Sequence, residues 1–352
     1  MTMTRRIDVG GVAIGGGAPI TVQSMTNTDT RDLAATLAQI KRLAEAGCDI
    51  VRVSVYDALC AKNVRALVDA SPVPLVADIH FDYQLAIASI EGGIAKVRIN
   101  PGNIGGVEKV RRLADCLKAH RVPVRIGVNT GSIEPKILKK YGRPTAEGLV
   151  ESALEHARWL EDCGFCDICL SMKATSVPLM VETYELAHAR CDYPLHLGVT
   201  EAGEPGMGTV KSAIGIGALL LRGIGDTIRV SLSGDPVPEV PAGISILRAV
   251  GARKDAVDMI SCPTCGRARI DVAQIASRVR AATEDVRLPL KVAVMGCAVN
   301  GPGEAREADM GVAGAESGGV LFVKGEAARV VEGDLAAALI AEIRRRAKAG
   351  AH

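Results

Sequence analysis

Between residues 20 and 235 one pattern recurs eight times: a short β-branched run, a loop, and a longer amphipathic stretch rich in Ala, Leu, Glu and Arg. The strand-like runs are ITVQSMT (20–26), DIVRVSV (49–55), PLVADIH (74–80), AKVRINP (95–101), PVRIGVN (123–129), CDICLSMK (166–173), PLHLGVTE (194–201) and TIRVSLSG (227–234). Helix-like stretches fill the gaps. The clearest runs from Asp32 to Ala46 and stops at Gly47, where a C-terminal cap is expected. Eight β/α units in about 230 residues match a (βα)8 TIM-type barrel in number and size, whereas doubly wound sheets usually have fewer strands.

After about Val250 the character changes, which predicts two domains: a (βα)8 barrel over 1–250 and a small α+β domain over 251–352. The second reads as helix (271–284), strand (290–296), strand (319–325) and a final helix (334–349). Basic and acidic residues nearly cancel, 42 against 40, and aromatics are only 3%, so neither a basic footprint nor base-stacking platforms are present and nucleic acid is not an expected partner. The N-terminus lacks the apolar core of a secretion signal and no run of about 18 apolar residues occurs, so no membrane association is expected and the protein reads as cytoplasmic. Ten cysteines in so long a chain are too sparse for a disulfide scaffold and are expected to stay reduced.

Two cysteine segments stand out in the second domain. SCPTCGR puts Cys262 and Cys265 three positions apart, the spacing that lets two thiolates reach one metal from a tight turn. GCAVNGPGE adds Cys297 just past an apolar strand, in a turn-forming stretch whose backbone N–H groups can bond cluster sulfurs. A [4Fe–4S] cube needs a ligand for each iron, and with no fourth cysteine in this domain Glu304 is the nearest oxygen candidate. Three cysteines and one further ligand also suit a zinc ribbon, and spacing alone leaves that alternative open. The run Cys163, Cys166, Cys169 is read as packing, because an extended strand points Cys166 and Cys169 to opposite faces.

In the barrel, VRVS (Arg52), VRIN (Arg98), VRIG (Arg125) and IRVS (Arg229) each set an arginine between β-branched residues. If Val and Ile face the helices, alternation turns all four arginines inward, where an anion or carboxylate must offset their burial. Internal salt bridges to Asp78, Glu201 or Asp235 are the plain alternative. Anion binding is favoured, because the guanidinium fork suits phosphate and barrel enzymes bind substrates at the C-terminal strand ends, where Asn100, Asn129, Ser171, Lys173 and Glu201 also lie. His80 and His196 are expected to be structural. No glycine cluster follows the order of a nucleotide-binding loop.

Together the two cysteine segments resemble the hydroxymethylbutenyl diphosphate synthase family of the methylerythritol phosphate isoprenoid route, and the resemblance extends to ITVQSMTNTDT, VRINPGNIG, VRIGVNTGS, HLGVTEAG and RVSLSGDP in the barrel. It implies reductive ring opening and dehydroxylation of methylerythritol cyclodiphosphate, with two electrons passed through a [4Fe–4S] cluster on Cys262, Cys265, Cys297 and Glu304. It implies phosphate contacts from basic residues such as Arg52, Arg98, Arg125 and Lys173, and the strand pattern itself adds Arg229, Asn100, Asn129 and Ser171 as substrate-binding candidates beside them. Asp78 and Glu201 are implied in hydroxyl recognition or proton delivery, Glu201 and Glu304 being the catalytic candidates. A reduced flavodoxin or ferredoxin as electron donor and a head-to-tail homodimer are implied as well.

Overall fold

The computed structural model describes residues 3–100, 105–297, 303, 307–315, 318–324 and 326–349. The chain divides into two compact units, Met1–Arg253 and Lys254–His352.

The first unit opens with a hairpin, β1 (Ile7–Val9) and β2 (Val12–Ile14). Eight parallel strands follow: β3 (Thr21–Met25), β4 (Ile50–Ser54), β5 (Leu75–Asp78), β6 (Lys96–Ile99), β7 (Val124–Asn129), β8 (Ile168–Lys173), β9 (His196–Leu197) and β10 (Thr227–Ile228). They pair in sequence order, β10 pairs with β3, and a parallel bridge between Leu170 and Leu195 completes the ring. The expected barrel is thus present, with every predicted strand in place. Several of its helices begin where an acid or hydroxyl accepts an orphan N–H: Asp32 accepts from Ala35, Asp57 from Cys60 and Thr145 from Gly148. The first helix, Leu33–Glu45, ends before Gly47, whose φ of +95° suits glycine alone.

Alternation sorts the strand residues. Val51, Val53, Val97, Ile99, Val124, Ile126, Ile168 and Leu170 face outward into the main apolar core, joined by helix residues such as Ile40, Leu43 and Val64. Fully burying each such side chain is worth about 1.5–3 kcal/mol. Apart from Ile50, Val76 and Cys169 near the N-terminal end, the inward side chains are mostly polar: Gln23, Lys96, Arg98, Arg125, Ser171 and His196 are buried, and neighbouring arginines share a register, Arg98 opposite Arg125. The hairpin seals the N-terminal end of the barrel, with Ile7, Val9 and Ile14 packed on Ile50, Val76 and Cys169. It was not expected. Its two-residue turn, Gly10-Gly11 at φ +59° and +90°, sits among further glycines that mask the alternation of IDV and VAI.

In the second unit β11 (Asp258–Ser261), β12 (Lys291–Met295), β13 (Met310–Gly314), β14 (Gly319–Val323) and β15 (Glu326–Val331) form one mixed sheet in that order. β11, β12 and β13 are parallel and the last three antiparallel. Helices Val272–Ala282 and Leu335–Ala349 pack on it through Ile275, Val279, Leu339 and Ile343. The two expected strands and two expected helices are present, but three strands were missed. β13, MGVAG, is glycine-rich because a Cβ on Gly311 would lie 2.3 Å from the Phe322 ring. β15, EAARVV, has helix-like composition and an exposed face. No described helix is long and apolar enough to cross a membrane.

Candidate active site

At the C-terminal ends of the barrel strands lies a cavity of about 120 Å³ lined by Arg52, Asp78, His80, Arg98, Arg125, Asn129, Ser171, Lys173, Thr200, Arg229 and Ser231. Five of these are cations and one is a carboxylate. Strand alternation brings them there. Arg52 on β4, Asp78 on β5, Arg98 on β6, Arg125 on β7 and Ser171 on β8 are inward positions of consecutive strands. Two glycines make room for the longest side chains. A Cβ on Gly127 would lie 2.3 Å from Arg98 Nε, and one on Gly198 would lie 2.6 Å from Lys173 Nζ.

The arginines are partly paired inside the protein. Asp78 Oδ1 accepts from Arg98 Nη1 at 3.2 Å, and its Oδ2 lies 3.9 Å from Arg52 Nε. Arg229 Nε donates to Glu239 Oε2 at 3.2 Å, and the same carboxylate accepts from Ser24 Oγ and the Leu232 N–H. Arg52 and Arg229 also turn N–H groups to the sulfur of Met25. Arg125 is the exception: it is buried, has no carboxylate partner among the described residues, and its Nε and Nη1 make no hydrogen bond. Of the acids expected as partners, Asp78 fills the role. Asp235 instead pairs with Arg42 at 2.5 Å on an exposed surface, and Glu239 takes the place foreseen for it.

The electrostatics follow from burial and crowding. Burial lowers Arg125 to about 10, with the Arg98 charge adding to the effect. Burial, then the charges of Arg125, Arg229 and Arg52, push Lys173 well below its ordinary value. Burial opposes ionisation of Asp78, but Arg52 and Arg98 overcome it and hold the carboxyl at about 2. Like charges held at close range without enough counter-charge favour an incoming anion.

Not every expected residue joins the cavity. Asn100 is buried just past β6 and is not among the lining residues. Glu201 lines an adjoining groove with Asn129, Thr130, Arg143, Thr175 and Thr200, held at φ +51°, a left-handed conformation uncommon outside glycine. His80, expected to be structural, lines the cavity with Nε2 3.5 Å from Arg98 Nη1. Thr200 and Ser231 were also missed; each lies two positions beyond the residue that directly follows its strand, Gly198 after β9 and Arg229 after β10, and that period was the available signal.

In the second unit, Cys262 directly follows β11 and Cys297 follows β12 by two residues, and these strands are parallel neighbours with Ser261 opposite Val294. The two cysteine segments therefore leave the same end of the sheet side by side. The Cys262 N–H donates to Val294 and the Arg269 N–H to Gly296, tying one segment to the other. The Arg267 side chain senses both Cys265 and Cys297, and hydrogen bonds from Arg267 lower the Cys265 thiol. Among the described residues no three His, Cys, Asp or Glu side chains are gathered tightly enough to hold a metal ion. Glu304 lies outside the described residues. Three soft thiols on adjacent loops are still a donor set that suits iron–sulfur chemistry better than hard-ion binding. Of the competing run, Cys169 is buried in the barrel floor, Cys166 is exposed and Cys163 packs on the core.

Comparison with known proteins adds the following. A model of the GcpE TIM-barrel domain matches residues 4–244, and one of the GcpE protein C-terminal domain matches 258–345. The 4-hydroxy-3-methylbut-2-en-1-yl diphosphate synthase (flavodoxin) of Caldanaerobacter subterraneus subsp. tengcongensis is 56% identical over 347 residues, 98% of each chain. The protein of that name from Geobacter sulfurreducens is 54% identical over 97% of each chain. Among solved structures, phospho-2-dehydro-3-deoxyheptonate aldolase from Thermotoga maritima superposes with a TM-score of 0.50 at 14% identity, covering 70% of this chain and 74% of that one, a likeness of fold alone.

Proposed function

The chain belongs to the GcpE family, and from that premise we propose that it catalyses the reductive ring opening and dehydroxylation of 2-C-methyl-D-erythritol 2,4-cyclodiphosphate to 4-hydroxy-3-methylbut-2-enyl diphosphate. The observation that carries this reading is the surplus of cations in the barrel cavity, where Arg125 has no carboxylate partner among the described residues. A cyclic diphosphate has an anionic oxygen on each phosphorus and matches that surplus. Fixed guanidinium forks hold such oxygens with bidentate bonds and cost no reorganisation as charge shifts during reaction.

In this reading Arg52, Arg98, Arg125, Lys173 and Arg229 take the phosphates, and Asp78 keeps Arg98 aimed through a hydrogen bond and Arg52 through a longer ion pair. Asn129 and Ser171 bond the remaining polar edge of the substrate, with Asn100 behind them. One ring C–O bond to phosphate breaks, a hydroxyl leaves as water, and the diphosphate stays in the arginine cage as a double bond forms. Glu201, at the rim, serves hydroxyl recognition and proton delivery. Cys262, Cys265, Cys297 and Glu304 would hold a [4Fe–4S] cluster, which when bound would supply the two electrons the reaction consumes. Flavodoxin is the proposed electron donor, as the relatives' names indicate, and the active species is proposed to be a head-to-tail homodimer in the cytoplasm.

The reading is tested by anaerobic incubation of the reconstituted protein with reduced flavodoxin and the cyclic diphosphate, following product by mass spectrometry. Formation of the allylic diphosphate with release of water supports it. Intact substrate after many equivalents of reductant rejects it.

A further inference from the structure

The barrel interior holds a cation that the cavity does not use. Lys96 precedes Arg98 by two residues on β6, so it shares the inward face and lies about 6–7 Å closer to the barrel floor. It is fully buried, and its Nζ has no hydrogen-bond partner among the described residues. Burial lowers it to about 8, and the charges it senses are those of Cys169, Arg125 and Arg52. No carboxylate is among them. Asp78 is engaged with Arg52 and Arg98, and Glu239 with Arg229, Ser24 and the Leu232 N–H. Burial pushes the Cys169 thiol up, which keeps it neutral.

Other buried groups of the interior are unmatched in the same sense. Arg125 Nε and Nη1, Gln23 Nε2 and Oε1, Thr21 Oγ1 and His196 Nε2 all lack partners among the described residues. Donors dominate this set: an ammonium brings three N–H groups and no acceptor, and a guanidinium brings only donors, while Gln23 Oε1 is the one obligate acceptor. Water would add as many donors as acceptors and leave the excess unresolved. An acceptor-only species resolves both the hydrogen-bond and the charge imbalance. From below, Ile7, Val9 and Ile14 close the interior against Ile50, Val76 and Cys169, so entry is from the cavity side.

We propose that the barrel interior beneath the cavity is a second anion site, built by Lys96, Arg125, Gln23 and His196, that takes a small inorganic monoanion of halide size. Arg125 is shared between the two levels, so the ion is a counter-charge on which the upper arginine cage rests. The proposal does not depend on the identity of the diphosphate, because the probe is bromide alone.

The test uses crystals of the full chain grown without halide and soaked in sodium bromide. An anomalous peak within hydrogen-bond distance of Lys96 Nζ and Arg125 is expected. Bromide found only among Arg52, Arg98 and Lys173, or ordered water alone around Lys96, would overturn the proposal. In solution, the melting temperature of the wild type should rise with sodium bromide at constant ionic strength, and Lys96→Met should lose at least half of that rise. An equal response in both proteins would contradict the site. If Lys96→Met does not fold, the wild-type anomalous map decides.

Discussion

Arg98 Nη1 stands 3.2 Å from Asp78 Oδ1, and Arg52 Nε stands 3.9 Å from the second oxygen of the same carboxylate. One buried acid thus ties together arginines of the strands on either side of it, and its removal would leave two buried charges facing each other. Asp78→Asn is predicted to lower stability by about 3–5 kcal/mol at neutral pH, the usual cost of breaking a buried pair from one side. Denaturant titration of the two proteins checks this.

The same carboxyl sets a pH dependence. Its folded value, about 2, is below its ordinary 3.8, so its stabilising effect is complete above about pH 4 and is lost as the pH falls towards 2. Thermal melts from pH 7 to 2 should show an acid limb that is shallower in Asp78→Asn than in the wild type.

Arg125 offers the opposite trade. It is buried without a carboxylate partner among the described residues, and burial lowers it to about 10. In halide-free buffer Arg125→Met should leave the melting temperature unchanged or raise it, while weakening cyclic diphosphate binding by about 100-fold, or about 2.7 kcal/mol. Calorimetric titration and a thermal melt of one preparation give both quantities. A salt-bridge role for Arg125 would instead show as lost stability with unchanged affinity.

Gly127 tests the cage without touching a charge. A Cβ there would lie 2.3 Å from Arg98 Nε, so Gly127→Ala must move the guanidinium. The variant is predicted to fold, because the obstructed atom is at the end of a flexible side chain, and to bind substrate about 10-fold more weakly. Gly198→Ala would meet the Arg229 carbonyl at 2.6 Å, backbone that cannot step aside, and should fold poorly.

The loop leaving β7 is anchored by Glu134, whose carboxylate lies 2.7 Å from His156 Nε2 and accepts from Ser152 Oγ at 2.8 Å. Burial opposes ionisation of Glu134, but the His156 bond leads the contributions that hold it at about 2. Glu134→Gln should cost about 1–2 kcal/mol, measurable by denaturant titration. Because the folded value lies below the ordinary one, the difference between the proteins should shrink as the pH falls from about 4.5 towards 2.

Much of this was legible in the sequence for a physical reason. A strand between a polar interior and an apolar helix layer must alternate, and VRVS, VRIN and VRIG carry that alternation with arginine as the inward residue. Glu239 was not legible. It approaches Arg229 from the first turn of a helix ten positions on, a contact set by how that helix packs on β3 rather than by any local period. His80, Thr200 and Ser231 were missed although they continue the inward period, because they stand beyond the strand ends where side-chain character no longer alternates. In the second unit the side-by-side exit of the cysteine segments rests on β11 pairing with β12, and β11 is short, partly exposed and without strand-like alternation. Glu304 is named by its sequence alone.

The most direct test of the account is the metal content of protein reconstituted and purified under anaerobic conditions, followed by dithionite reduction and addition of the cyclic diphosphate. The account predicts brown protein with about four irons per chain, whose visible absorption is bleached by dithionite and restored as substrate is consumed. Colourless protein with about one zinc per chain, or four irons whose reduced state is indifferent to the cyclic diphosphate, would contradict it.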